Sequence, residues 1–319
     1  MTYSRSLQGR FATGKYTPLA LLLSAAVLWG VALFFMPAPS HVLQIEMGKL
    51  PAIILSILCY AAVALMLNTT HLYERRISWL APLYIFLTAL AVPYHNNASS
   101  AVTVLLFFFL VRVLMACQPG EGAEGSLFSA FALLCIFSFL LPQFVYLLPL
   151  FVIYMLITGV TGVRKWLSAM LGMAMPFWFL YGILYVWPEL AEYAPSYAMA
   201  AKELAFPELA RITPVRILYT VAELGVMLPA MVFFAGSSVP GKPYLRKRLM
   251  FIMLVNACLL LFSWLSEPNF SLLFVWRLPG IAIMATYLFS SRITRLSNIY
   301  FIVLVLFWFT VAVLDIWLN

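Results

Sequence analysis

Charged residues are scarce in this sequence: Asp, Glu, Lys and Arg together make up only 9% of its 319 residues. A soluble domain carries about 25% charged residues, because water must solvate its surface. Hydrophobic residues make up 65% of the chain, and its mean hydropathy is +1.01. This composition excludes an ordinary soluble domain. It predicts an all-α polytopic membrane protein in which residues 1–319 form a single integral membrane domain.

Cysteine and histidine are also few, with four and three residues. The cysteines fall inside or at the end of apolar runs without CxxC spacing, which favours small core side chains over disulfides or a zinc site. All three histidines lie in predicted loops, whereas an iron-dependent membrane oxygenase would need several within its helix bundle. The glycine-rich loop from Gln118 to Gly125 lacks the Lys-Ser/Thr of a P-loop. We therefore expect neither a metal nor a cofactor.

Apolar runs of about 17 to 23 residues, with one shorter, divide the chain into eleven predicted transmembrane helices. The first run is longer than the core of a signal peptide, so we expect it to be retained as a helix. The predicted spans are residues 17–36, 50–68, 77–93, 99–117, 127–142, 144–163, 167–187, 214–236, 249–265, 271–290 and 298–317.

The distribution of Lys and Arg predicts the orientation of these spans, because cytoplasmic loops carry an excess of cations. With the N-terminus in the cytoplasm, thirteen of the 19 cations fall on the cytoplasmic side and three on the other, and three lie within spans. The net charge of +8 therefore indicates topology and not a nucleic-acid partner. We expect a multi-pass protein of the bacterial inner membrane, with a cytoplasmic N-terminus and a periplasmic C-terminus.

The apolar stretch from Leu127 to Val163 is interrupted mainly at Pro142-Gln143. A single helix of this length would exceed the bilayer, so the chain must turn near these residues. The turn fits either a membrane-spanning hairpin or a re-entrant pair that enters from the cytoplasm, and the predicted topology is the same in both cases.

Polar residues gather in the loops predicted to face outward. Seven of the eleven carboxylates lie on or near this face, and the longest outer loop, residues 188–213, holds four of them. Within that loop, the helix-favouring residues from Tyr197 to Phe206 suit a helix that lies flat in the membrane interface. We therefore expect a functional site on this face.

Glu223 lies near the middle of span 214–236, where a carboxylate costs about 2.5–3.5 kcal/mol to insert. It should therefore face the bundle interior and have a partner. Arg216 lies two turns earlier on the same helix face, and Arg277 lies in the outer third of the tenth span. Glu223 with either arginine would form a charged cleft that opens outward. The alternatives are a structural ion pair and a protonated glutamate that locks helices together.

The outer loops supply further candidates. Glu46 follows the first span and could serve as general base for an acceptor hydroxyl; the alternative, which we favour from the sequence alone, is an ordinary solvated loop. His41 and His95 lie on the same predicted face. The candidate catalytic residues are Glu46 and Glu223. The candidate substrate- or phosphate-binding residues are Arg211, Arg216, Arg277 and His95.

Several segments between residues 125 and 178 resemble a known family. They include Gly125-Ser-Leu-Phe, Leu140-Leu-Pro-Gln, Leu148-Pro-Leu, and the stretch from Val163-Arg-Lys-Trp through Leu171-Gly to Pro176-Phe-Trp. A polytopic family of Bacteroidetes with a domain of unknown function, some of whose members carry the label beta-carotene oxygenase, has a similar pattern. The resemblance covers about residues 45–290. It implies a cytoplasmic-membrane protein whose genes lie near a polyprenol-phosphate sugar synthase, and it transfers no catalytic residue.

Three hypotheses of function follow. The first is a glycosyltransferase-like enzyme that takes sugar from a polyprenyl-phosphate donor on the periplasmic side, with Glu46 as base and Arg211, Arg216 or Arg277 holding the phosphate. The second is a transporter or flippase with Glu223 as the coupling residue. The third is a non-catalytic membrane subunit that binds partner proteins. Membrane lipids are expected partners in every case, and nucleic acid in none.

Overall fold

The computed structural model describes residues 8, 11, 14–35, 41–42, 45–46, 49–69, 77–91, 98–117, 122–189, 213–236, 243–266, 269–291 and 294–318. Over these residues the chain forms eleven α-helices and one pair of two-residue strands. In chain order the elements are α1 Thr17–Phe35, β1 His41–Val42, β2 Ile45–Glu46, α2 Lys49–Thr69, α3 Leu80–Leu90, α4 Ala98–Ala116, α5 Ala123–Leu140, a 3₁₀ turn Pro142–Leu147, α6 Leu148–Thr158, α7 Val163–Val186, α8 Pro214–Gly236, α9 Pro243–Leu265, α10 Phe270–Ser291 and α11 Arg295–Leu318.

Eight of the described helices are long and apolar enough to cross a membrane, which confirms an all-α, multi-pass membrane architecture. The other three apolar segments are shorter: Thr17–Gly30, Leu80–Leu90 and Pro142–Thr158. An 11-residue helix such as α3 rises about 17 Å, whereas the hydrocarbon core is about 30 Å thick. Eleven spanning helices and the orientation of the two termini therefore stay predictions.

The predicted break at Pro142 is confirmed. Helix α5 ends at Leu140, and Leu141 is extended, with φ −144° and ψ 106°. This is the conformation to which a following proline restricts its neighbour. Helix α6 then runs for only 11 residues and ends at Gly159, whose φ of 77° suits a residue without a Cβ atom. The short helix is compatible with both a hairpin and a re-entrant pair.

The described helices group into two compact units. Unit 1 comprises residues 1–105, 206–242 and 252–319. Inside it, α3 packs against α1, α2 and α10, and α8 packs against α10 and α11. Helix α10 is the most deeply buried of the long helices, because neighbours cover it on almost every side. A helix so enclosed can hold charged side chains away from lipid.

Unit 2 comprises residues 106–205 and 243–251. Its main contact joins α5 and α7, and these helices approach closely at Gly172. A Cβ atom on Gly172 would lie 2.5 Å from the carbonyl oxygen of Phe128 and 3.1 Å from its Cα. Only glycine therefore permits this spacing of the two backbones, as small residues commonly do between membrane helices.

Gly172→Ala is expected to destabilise unit 2 by about 1–3 kcal/mol, because the Phe128 backbone must move to admit a methyl group. Gly182→Ala, ten residues later on α7, is the matched control, since a Cβ atom there meets nothing within 4 Å. Thermal unfolding of the purified protein in nanodiscs measures both variants. Equal midpoints for the two would contradict the close approach of α5 and α7.

Candidate functional site

Helix α8 carries four polar side chains on one face. Tyr219 and Thr220 follow Arg216 by three and four residues, and Glu223 follows them by four and three, which places all four along one side of an α-helix. All four are buried within the protein. The shared face of Arg216 and Glu223 is the one that helix periodicity predicts, and Tyr219 and Thr220 lie on it as well.

Glu223 forms an ion pair with Arg277 of α10. The Arg277 Nε lies 3.0 Å from Glu223 Oε2, and its Nη2 lies 3.1 Å from Oε1. Two parallel bonds from one guanidinium to one carboxylate are the strong, geometrically specific form of such a pair. The two side chains are only 3% and 1% exposed. The buried carboxylate therefore has the partner that its position in a membrane helix requires.

The ion pair extends to a third helix. Arg277 Nη1 donates to the Ser263 hydroxyl at 2.5 Å and to the Leu259 carbonyl at 3.2 Å, and both acceptors belong to α9. Arg216 Nη2 donates to the Ser263 carbonyl. Ser263 thus receives hydrogen bonds from both arginines, and this cluster ties α8, α9 and α10 together.

Two aromatic rings complete the surroundings of Arg216. Its guanidinium carbon lies 5.0 Å from the centre of the Trp264 ring and 4.6 Å from that of Phe270. Both distances are within the range of cation–π attraction, which is stronger where water is excluded. Since Arg216 is 4% exposed, the cluster of Glu223, Arg277 and Arg216 is enclosed by protein. This differs from the predicted cleft that opens outward.

A second polar link joins α8 to α11. The Tyr219 hydroxyl lies 2.9 Å from Asp315 Oδ2 and 3.2 Å from the Leu90 carbonyl, so it donates to acceptors on α11 and α3. Asp315 is completely buried. From the sequence alone, its position near the outer end of the last predicted span indicates an interfacial residue and not a buried one. Nothing in the sequence around Tyr219 predicts this link.

Of the remaining predicted site residues, Glu46 lies in strand β2, and the others fall outside the described part of the chain. Strands β1 and β2 pair antiparallel, with His41 opposite Glu46 in the register. The backbone thus brings together two residues of the first predicted outer loop, one of them the candidate base Glu46. Arg211, His95 and the candidate interfacial helix from Tyr197 to Phe206 fall outside the described residues, which include only 188, 189 and 213 of the loop 188–213.

A large apolar cavity in unit 1 has no counterpart among the sequence predictions. Its volume is about 860 Å³, within the range of small-molecule binding sites. Its walls come from α1, α3, α8, α10 and α11, together with Phe11 and Trp79. No sequence signal could have found it, because the residues that line it resemble those that face lipid.

One end of this cavity lies a single helical turn from the charged cluster. Val226 follows Glu223 by three residues, Ile281 follows Arg277 by four, and both line the cavity. Trp308, another lining residue, packs edge-on against Tyr219 with ring centres 6.1 Å apart. Unit 1 therefore combines a long apolar space with a polar cluster beyond one end of it.

Among the residues described, no group of three or more His, Cys, Asp or Glu side chains could hold a metal ion. No family model, curated protein or solved structure matches the chain. The features of this chain that bear on its function are therefore the cavity, the charged cluster and the strand pair.

Proposed function

We propose that this chain is an integral membrane, glycosyltransferase-like protein that takes sugar from a polyprenyl-phosphate donor on the periplasmic side of a bacterial inner membrane. The observation that carries the proposal is the apolar cavity of about 860 Å³ with a buried cluster of charged residues beyond one end. An amphipathic lipid has a matching arrangement: its phosphate head group corresponds to the charged cluster, and its long hydrocarbon chain corresponds to the apolar cavity.

The dimensions of the cavity support a hydrocarbon chain as its occupant. On α1 the lining residues extend from Thr17 to Leu28, a rise of about 17 Å. This is roughly half the thickness of the hydrocarbon core, so the cavity could hold a chain over about the depth of one leaflet. A compact polar substrate would find few hydrogen-bonding groups along these walls.

In this proposal the donor phosphate binds near the arginines, and Glu46 acts as general base. Charge develops on the leaving phosphate during glycosyl transfer, and cations that stabilise it lower the barrier. Arg216 and Arg277 are the described candidates, and Arg211 and His95 are loop candidates. Because the Arg277 guanidinium is bound to Glu223, a phosphate would have to displace that carboxylate in order to bind Arg277. Glu223 would then control access to the arginine.

A transfer assay tests the proposal. The full chain is reconstituted in liposomes with a polyprenyl-phosphate sugar labelled in the sugar, and release of polyprenyl phosphate is measured with and without candidate acceptors. Donor-dependent release above that of empty liposomes is the expected result. Liposomes that release no more than the empty control with every donor and acceptor would overturn the proposal.

One observation favours a second candidate, the non-catalytic membrane subunit. The Glu223–Arg277 pair is enclosed and already has the hydrogen bonds that a structural link between helices needs. Such a subunit would tolerate each polar substitution that leaves folding intact. An enzyme would lose activity at Glu46 while the protein remained folded, and this difference separates the two candidates.

A further inference from the structure

Gln8 connects the start of the chain to the turn between α10 and α11. Its side chain is completely buried. The Gln8 Nε2 donates to the Phe289 carbonyl at 3.0 Å, and its Oε1 accepts from the Ser297 hydroxyl at 2.8 Å. Its backbone N–H donates to Asn298 Oδ1 at 2.8 Å. Three hydrogen bonds therefore fix this residue beside the end of α10 and the start of α11.

Phe11 lies at the same end of unit 1 and lines the apolar cavity. Its ring centre is 5.2 Å from that of Trp79, just before α3, and 5.0 Å from that of Phe301, near the start of α11. Both neighbours also line the cavity. Phe11 thus bridges two walls at the end opposite the charged cluster. We call Gln8 and Phe11 the N-terminal clasp.

We infer that the N-terminal clasp closes this end of the cavity, and that Phe11 limits how far a polyisoprenoid chain can extend into it. The inference deepens the proposed function and depends on its lipid-binding step. Gln8 supplies the attachment, and the Phe11 ring supplies the barrier. A lipid chain that reaches the Phe11 ring meets a packed aromatic group. Additional methylene groups would then be forced into occupied space, which weakens binding, and would bury no further apolar surface.

The position of the clasp also favours a polyprenyl chain over a phospholipid. A phospholipid of the nearer leaflet would place its head group at the end where α1 and α11 begin, and Gln8 and Phe11 occupy that end. A chain that enters from the other end must pass the level of Glu223, near the middle of α8, before it fills the cavity. Long isoprenoid chains can reach this depth, because they exceed one leaflet.

The test measures binding, not transfer. The full chain in nanodiscs is titrated with a series of polyprenyl phosphates that differ in the number of isoprene units, and bound lipid is counted by native mass spectrometry. Phe11→Ala should shift the preference toward longer chains by about tenfold or more, as expected when methylenes gain or lose space in an apolar pocket. Phe11→Trp should shift it toward shorter chains. Gln8→Ala should act in the same direction as Phe11→Ala.

Phe309→Ala is the matched control, because Phe309 lines the cavity eight residues beyond Phe301 on α11. It removes the same volume far from the clasp and should change affinity for all chain lengths alike. Unchanged length preference in both Phe11 variants would overturn the inference, as would retention of phospholipid alone. Length-dependent binding without any sugar transfer would leave the inference standing and overturn the proposed function instead.

Discussion

Glu46→Gln is expected to lower the rate of sugar transfer by about 10²–10⁴-fold, the contribution that a positioned general base typically makes. The backbone register places Glu46 opposite His41 in the strand pair, within the connection from α1 to α2. An amide cannot accept the proton of an acceptor hydroxyl, so the chemical step should slow while donor binding persists. Initial rates in proteoliposomes, at saturating donor, measure this effect.

Glu124→Gln is the control for Glu46→Gln. Glu124 lies in the first turn of α5 in unit 2, on the side predicted to be cytoplasmic. Its loss should leave transfer unchanged. Full activity of Glu46→Gln at normal protein yield would exclude Glu46 as the base. If wild-type protein showed transfer at the same time, the base would have to be sought elsewhere in the chain.

Arg277→Met is expected to cost about 3–5 kcal/mol of stability, because it leaves the Glu223 carboxylate buried without its ion-pair partner. The double variant Arg277→Met/Glu223→Leu should recover most of that loss, since apolar side chains of similar volume replace a buried ion pair at little cost. Resistance to unfolding in nanodiscs, followed by tryptophan fluorescence, is measured for the wild type, the two single variants and the double variant, which together form a double-mutant cycle.

The control for this cycle is Arg164→Met, at an exposed arginine in the first turn of α7. It should change stability by no more than about 0.5 kcal/mol, as surface substitutions usually do. If the loss of stability in the double variant equalled the sum of the losses in the two single variants, the two charges would not be coupled. The ion pair would then not explain how α8 and α10 are held together.

Glu223→Gln separates a structural role from a functional one. The amide keeps the shape of the side chain and loses its charge, so Arg277 retains a neutral acceptor. Loss of activity well beyond loss of folded protein would assign Glu223 a role in catalysis, as predicted, or in coupling of transport. Parallel loss of folded protein and activity would indicate a structural ion pair.

The sequence by itself was sufficient for the all-α membrane architecture and for the shared face of Arg216 and Glu223. Apolar runs are recognisable because their length must match the hydrocarbon core. Residues 214–236 were predicted as a span and form α8 with the same bounds. The shared face of Arg216 and Glu223 follows from 3.6 residues per turn. The break at Pro142 follows from the backbone chemistry of proline.

The tertiary structure decided which helices are enclosed and which groups meet. Helices α7 and α10 are similarly apolar, yet 17% of one and 89% of the other is buried inside the protein. A soluble helix reveals its buried face by contrast with polar residues. In a membrane that contrast disappears, because lipid and protein interior are both apolar. Hence the sequence left Arg216 and Arg277 as equal partners for Glu223, and the packing of α10 against α8 selected Arg277.

The cavity and its clasp depend on the tertiary structure for the same reason. Gln8 and its partners at Phe289, Ser297 and Asn298 are more than 280 positions apart in the chain. No local sequence pattern predicts such a contact, because it forms only when α10 and α11 pack beside the residues that precede α1. An apolar side chain that lines a cavity is likewise indistinguishable in sequence from one that faces lipid.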